Sequence, residues 1–152
     1  MTESIDERAV SPVAAYVLTL GVTAMLIGGL MIASGSFVDD HRQSTAQSEL
    51  KVLGQQLSAD LAAADRLSRS EGTSETSIQR SLPTRVVGSH YTVSVRHGGD
   101  GPTDPYLELE APELDISVTV GVTSLQPVPE TTVDGGDVVV EYSNGELVIQ
   151  NA

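Results

Sequence analysis

The sequence predicts an α+β protein. A long N-terminal membrane-spanning helix continues into an amphipathic helix, and a small, mostly antiparallel β-sheet domain follows. Three observations carry this reading. From Ala9 to Val38 there is no Asp, Glu, Lys, Arg or His. Beyond it, Leu50, Leu53, Leu57, Leu61, Ala64 and Leu67 recur at three- and four-residue steps among Gln, Ser, Asp and Arg, the period of one helix face. After Ser77 the period becomes two, as in Tyr91-Thr92-Val93-Ser94-Val95 and Ile116-Ser117-Val118-Thr119-Val120. The expected segments are a leader (1–9), a transmembrane or assembly helix (10–38), an amphipathic extension (39–69), a linker (70–84) and an acidic β domain (85–152).

Residues 1–9 are short and polar and are expected to lack fixed structure. Pro12 suits the first turn of a helix, where its missing N–H removes no hydrogen bond, and Ser11 can cap the same end. At a rise of about 1.5 Å per residue, Val13 to Ile32 gives roughly 30 Å of helix, the thickness of a bilayer's hydrocarbon core. A cleaved secretory signal would have a shorter apolar region behind basic residues. Here Glu3, Asp6, Glu7 and Arg8 precede it, and they are net acidic. Gly21, Gly28, Gly29 and Ala33 place small residues along the span, with Gly29-x-x-x-Ala33 at the spacing that lets helices approach closely in lipid. Small residues are also simply common in membrane helices.

Asp39-Asp40-His41-Arg42 marks the water interface, and the leucine stripe continues the helix to about Ser68. That stripe, including Leu50, Leu53, Leu57 and Leu61, must cover either this chain's own sheet or a neighbouring helix. Ser68–Ser77 offers no apolar residue to bury and reads as a linker. Strands are expected at Tyr91–Arg96, Tyr106–Glu110, Ile116–Val122, Val138–Tyr142 and Leu147–Ile149, with a short first one at Arg85–Val87. Gly98–Pro105 and Gln126–Gly136 read as connectors. Asn144-Gly145 between two β-rich runs predicts a type I′ hairpin. The result is one sheet of about five or six strands.

Composition narrows the function. The net charge is −13, from 21 acidic and 8 basic residues. Losing residues 1–9 would remove three acids and one Arg and leave −11. From Gly98 onward there are eleven acids and no Lys or Arg. Such a surface repels nucleic acid and anionic lipid headgroups, which argues against a nucleic-acid partner. One Lys and evenly spread acids fit adaptation to high salt, where the Debye length shrinks to about 3 Å, better than an acidic binding tail. There is no cysteine, so disulfides and thiolate metal sites are excluded.

No cofactor is expected and an enzyme is not. His41, His90 and His97 lack the spacing of a zinc site. Asp100 and Asp104 lie in a Gly/Pro loop without the alternating ligands of a calcium loop. There is no Gly-x-Ser-x-Gly, no phosphate-binding Gly loop and no Asn-x-Ser/Thr sequon.

Arg8-Ala9-Val10-Ser11-Pro12, followed by Val-Ala-Ala-Tyr-Val-Leu-Thr-Leu-Gly, resembles the N-terminus of haloarchaeal type IV pilins and pilin-like proteins. The resemblance covers roughly residues 3–38. It implies a class III signal cut on the cytoplasmic side by a membrane-embedded prepilin peptidase, with Arg8 and Ala9 closing the leader and Val10 becoming the new N-terminus. It also implies an extracellular β domain, a lollipop architecture and homo- or hetero-assembly with other pilin-like subunits. The fifth mature position, Glu in bacterial relatives, is Ala14 here. Charge alone does not orient the helix, because Arg8 and Arg42 flank it equally. The sequence therefore suggests a pilin-like structural or accessory subunit held in membrane lipid. The rivals are a non-polymerising single-pass surface protein with a β binding module, and a scaffold with a cytoplasmic β domain.

Overall fold

The computed structural model describes residues 6–70, 75–99 and 101–152, without the side chains of 6–11, 36 and 101–103. The chain divides into two compact units, Met1–His41 and Arg42–Ala152. Helix α1, Asp6–Ser68, supplies the described part of the first unit and the opening of the second.

The helix begins earlier than the sequence suggests. Residues 6–9, expected to lack structure, are helical, and Pro12 sits inside the helix rather than in its first turn. Asp6 and Glu7 place negative charge on the first turn, where the helix dipole favours it. Ser11 is therefore no N-cap, and Pro12 leaves one carbonyl, that of Arg8, without its helical N–H. Residues 1–5 lie outside the described residues.

Among the described residues the second unit holds seven strands: β1 (Thr76–Ser81), β2 (Thr92–Gly98), β3 (Gly101–Ala111), β4 (Ile116–Gly121), β5 (Thr131–Asp134), β6 (Asp137–Ser143) and β7 (Glu146–Asn151). They form two antiparallel sheets, ordered β1-β6-β7 and β4-β3-β2-β5, not the single sheet expected. The expected linker contributes β1, and the connector Gln126–Gly136 contributes β5. The connector Gly98–Pro105 opens β3. Arg85–Val87 is no strand. Val86 and Ser89 exchange backbone hydrogen bonds across a tight turn, with Val87 at φ 50° and Gly88 at φ 83°. The Asn144-Gly145 hairpin forms as predicted, with φ 52° and 88° at its two turn residues.

One core unites the unit. Ala46, Leu50, Leu53, Leu57, Leu61 and Ala64 are buried in the same cluster as Val93 and Val95 of β2, Leu107 and Leu109 of β3, Val138 and Val140 of β6, and Leu147 and Ile149 of β7. The stripe covers this chain's own sheets. It ends one residue away from the expected place: Leu67 is 48% exposed, and on the stripe's spacing the buried position is Ser68, four residues after Ala64. The helix comes close to the sheet at Gly54, where a Cβ would stand 2.7 Å from Val120 Cγ2 and 2.8 Å from Leu109 Cδ1. In a core without Trp, that approach brings the helix axis down onto Val and Leu side chains.

Gly54 is therefore required by packing despite its poor helix propensity. Gly54→Ala gains up to about 1 kcal/mol in propensity but loses about 1–3 kcal/mol to overpacking, for a net loss of about 1 kcal/mol. Leu57→Ala loses about 2–5 kcal/mol by opening a cavity. Denaturant unfolding of the full chain in neutral detergent, followed by circular dichroism, measures both.

Candidate functional site: an exposed apolar helix and carboxylate clamps

In the first unit, the large apolar side chains of α1 face outward all round. Val13, Tyr16, Leu18, Met25, Leu26, Leu30, Met31, Ile32 and Phe37 are each more than half exposed. A helix with no polar face has nothing to gain from water. Two of its polar side chains are satisfied within the helix: the hydroxyls of Thr19 and Thr23 donate to the carbonyls of Ala15 (2.8 Å) and Thr19 (2.7 Å). Such i−4 bonds let threonine enter an apolar medium without an open donor. A Cβ added at Gly21, Gly28, Gly29 or Gly35 would meet nothing within 4 Å, so these sites leave shallow notches on the helix surface. Ala33 lies on the same helix. Phe37 and His41 stack in parallel with ring centroids 6.4 Å apart. The best window of the helix reaches a mean hydropathy of 2.0, and by length and composition this is one helix able to cross a membrane. Arg8, Ala9, Val10 and Ser11 fall on its first turns, but their side chains lie outside the described residues.

In the second unit, two helix carboxylates hold the β elements. Asp60, 7% exposed, receives Arg80 of β1 in a two-pronged bond, Nε to Oδ2 at 2.6 Å and Nη2 to Oδ1 at 2.5 Å. The hydrogen bond and the charge of Asp60 raise the Arg80 pKa. Asp65, 3% exposed, receives the Leu125 and Gln126 backbone N–H groups (3.0 Å each), the Ser124 hydroxyl (3.1 Å) and Arg69 Nη2 (2.8 Å). Burial alone would raise its pKa. The Gln126 and Leu125 N–H groups, with Ser124 and Arg69, outweigh burial and lower it. Asp65 therefore ties the end of α1 to the loop between β4 and β5.

Tyr91 plays a similar part with an aromatic ring. It is 2% exposed, its hydroxyl donates to the Pro83 carbonyl (2.8 Å), and burial pushes its pKa up to about 12. Gly135 makes room for that ring, since a Cβ there would lie 2.5 Å from Tyr91 Cε1.

The histidines are spent on local bonds. His90 Nε2 accepts from Arg85 Nε (3.2 Å), and His97 Nε2 lies 2.7 Å from the Val128 carbonyl, to which it donates. Among the described residues no group of three or more His, Cys, Asp or Glu is placed to hold a metal. Asp104 packs against Gly98, and Asp100 lies outside the described residues.

Pattern reading identified the leucine stripe but missed Asp60, Asp65, Arg80 and Gly54. Asp60 and Asp65 border the stripe, and that position was the one available signal. Thr76–Ser81 contains a single apolar residue, Ile78, too little to mark a strand.

These features define an α+β protein with one candidate membrane helix and a self-contained β domain. It belongs to a family of unknown function (DUF7266), whose model matches residues 5–151. No curated protein and no solved structure matches the chain.

The folded Asp65 carboxyl titrates below its ordinary value of 3.8, so its bonds stabilise the fold above that pH and are lost as pH falls through the lowered value. Asp65→Asn should lose about 1–3 kcal/mol at neutral pH. Its stability should also fall less steeply than the wild type's below about pH 4. Unfolding midpoints measured from neutral pH downward check both.

Proposed function

We propose that this chain is a pilin-like structural or accessory subunit of a type IV pilus-like surface assembly. In this reading a prepilin peptidase cuts after Ala9, and the apolar helix stays with the product as membrane anchor and assembly element. The supporting observation is the contrast within one helix. Its residues from Val13 to Val38 leave their apolar side chains uncovered, whereas the stripe from Ala46 to Ala64 is fully used by the chain's own core. A segment of such length and hydropathy needs lipid or other helices around it.

The mechanism follows from those surfaces. Before cutting, lipid covers the apolar helix. After cutting, Val10 begins the chain and the notches at Gly21, Gly28 and Gly29 admit neighbouring helices, so subunits exchange lipid contacts for helix contacts. The β domain is carried outside the membrane, and its acidic surface suits a salty exterior. No catalytic role is assigned.

The burial of Leu50, Leu53, Leu57 and Leu61 within the chain also favours a second reading: a non-polymerising, single-pass surface protein whose β domain binds a partner. The domain closes its core without a neighbour, so nothing in the stripe requires assembly.

Intact-mass measurement on protein extracted from membranes of its native host should show a chain lacking Met1–Ala9. A full-length product would remove the pilin-like reading. Arg8→Ala combined with Ala9→Leu should abolish the cut. Recovery of the processed chain in sheared surface filaments supports polymerisation, and its confinement to membranes selects the anchored module.

A further inference from the structure

Among the described residues, the edges of β5 and β7 are joined to each other by specific bonds, and that of β4 is engaged only near its ends. On β4, the Ser58 hydroxyl donates to the Gly121 carbonyl (2.9 Å), and just before the strand Gln43 Nε2 reaches the Leu114 carbonyl (3.5 Å). On β5, the Asn151 side chain accepts from the Asp134 N–H (3.2 Å) and donates to the Asp134 carbonyl (3.0 Å). That clasp, with Leu147 N–H donating to the Pro127 carbonyl (2.9 Å), also occupies β7.

β1 differs. It pairs with β6 on one side, in register from Thr76↔Tyr142 to Ser81↔Asp137 without a bulge. Leu82 N–H donates to the Gly136 carbonyl one step beyond. Antiparallel alternation then puts Thr76, Ile78 and Arg80 in the ladder and turns the N–H and C=O groups of Ser77 and Gln79 outward. Among the described residues nothing bonds to those groups. Exposed edges are ordinarily blunted by Pro, Lys, bulges or covering segments. β1 contains no Pro or Lys, and its one charge, Arg80, is held by Asp60.

A cavity of about 420 Å³ lies where the start of β1 meets the end of β6, lined by Glu75, Thr76, Ser77, Glu141, Tyr142 and Asn144. It brings together two carboxylates. Gln150 Nε2 donates to one Glu141 oxygen (2.6 Å) and leaves the other available to an incoming donor.

We propose that the outer edge of β1 is a strand-addition site for an extended, basic segment of another polypeptide, with a Lys or Arg side chain seated in the Glu75–Glu141 cavity. Backbone bonds to Ser77 and Gln79 supply affinity, and the carboxylates select the cation. A second copy fits less well. Its own β1 offers one charge, Arg80, which is committed to Asp60, and no Lys or Arg occurs after Arg96. The site does not depend on leader processing or polymerisation.

The test uses the full chain in neutral detergent micelles and labelled short peptides read by fluorescence anisotropy. An alternating Lys-Val peptide should bind and slow amide exchange at Ser77 and Gln79. An alternating Glu-Val peptide should not. Gln79→Pro removes only an outward N–H and should weaken binding about tenfold, the worth of one or two backbone bonds. Glu75→Gln and Glu141→Gln, which leave the strand untouched, should each weaken it about two- to fivefold. Equal binding of both peptides, binding unaffected by all three variants, or no binding would overturn the proposal. So would peptide-independent dimerisation abolished by Gln79→Pro, which would make the edge a contact between copies.

Discussion

The second unit depends on one seam, the face of α1 from Ala46 to Ala64. Neither sheet has a core alone: three strands and four strands each present one apolar face, and an uncovered face of that kind does not hold together in water. The helix supplies the cover for both, so Leu50, Leu57 and Leu61 become fully buried together with Val93, Leu107, Val140 and Ile149. With aromatic residues making up only 3% of the chain, bulk cannot fill a wide gap between layers. Close approach does so instead, as Gly54 shows against Val120 and Leu109.

Around that seam the polar contacts follow a consistent plan. The carboxylates bordering the stripe, Asp60 and Asp65, are the ones withdrawn from water, and each is repaid in hydrogen bonds: two from Arg80, and four from Arg69, Ser124, Leu125 and Gln126. An unpaired buried carboxylate would cost several kcal/mol, whereas one saturated with donors can stabilise the fold. The bonds also have topological value. Asp60 fixes β1, the strand with the least apolar content, and Asp65 fixes the loop that turns the chain from β4 to β5. Sites where hydrophobic burial is weakest are thus the sites where charge is used.

The same logic explains what could be read in advance. The apolar run, the leucine stripe, the Asn144-Gly145 turn and the alternating strands β2, β4, β6 and β7 were legible because each carries its signal locally, in period or in turn chemistry. β1 and β5 were not, because Thr76–Ser81 and Thr131–Asp134 are held by partners distant in sequence: Asp60 and β6 for one, β2 and Asn151 for the other. Their residues have ordinary strand propensity and almost no apolar pattern. Pro12 failed in the opposite direction. Its preference for a first turn is real, but acidic residues upstream extended the helix past it at the loss of one hydrogen bond. The split into two sheets was also invisible, since register between strands leaves no mark on any single strand.

Burial of the stripe changes what the outer half of the helix can do. A leucine seam at helical spacing on a chain with a long apolar N-terminus suggests a continuous assembly surface, and Leu50, Leu53, Leu57 and Leu61 would be its outer part. They are instead committed to the core, and exposing any of them to a partner would require opening the domain at a cost of several kcal/mol per side chain. Any lateral association is therefore left to surfaces that remain uncovered, among them the charge-free helix from Val13 to Val38, which lipid or other helices can cover, and the outward edge of β1. The two surfaces differ in chemistry. One is apolar and notched by glycine, suited to like helices in a bilayer. The other is a polar backbone edge flanked by carboxylates, suited to a basic strand in water. A chain with both can be held in a membrane by one and recruit through the other, without either contact disturbing the core between sheet and helix.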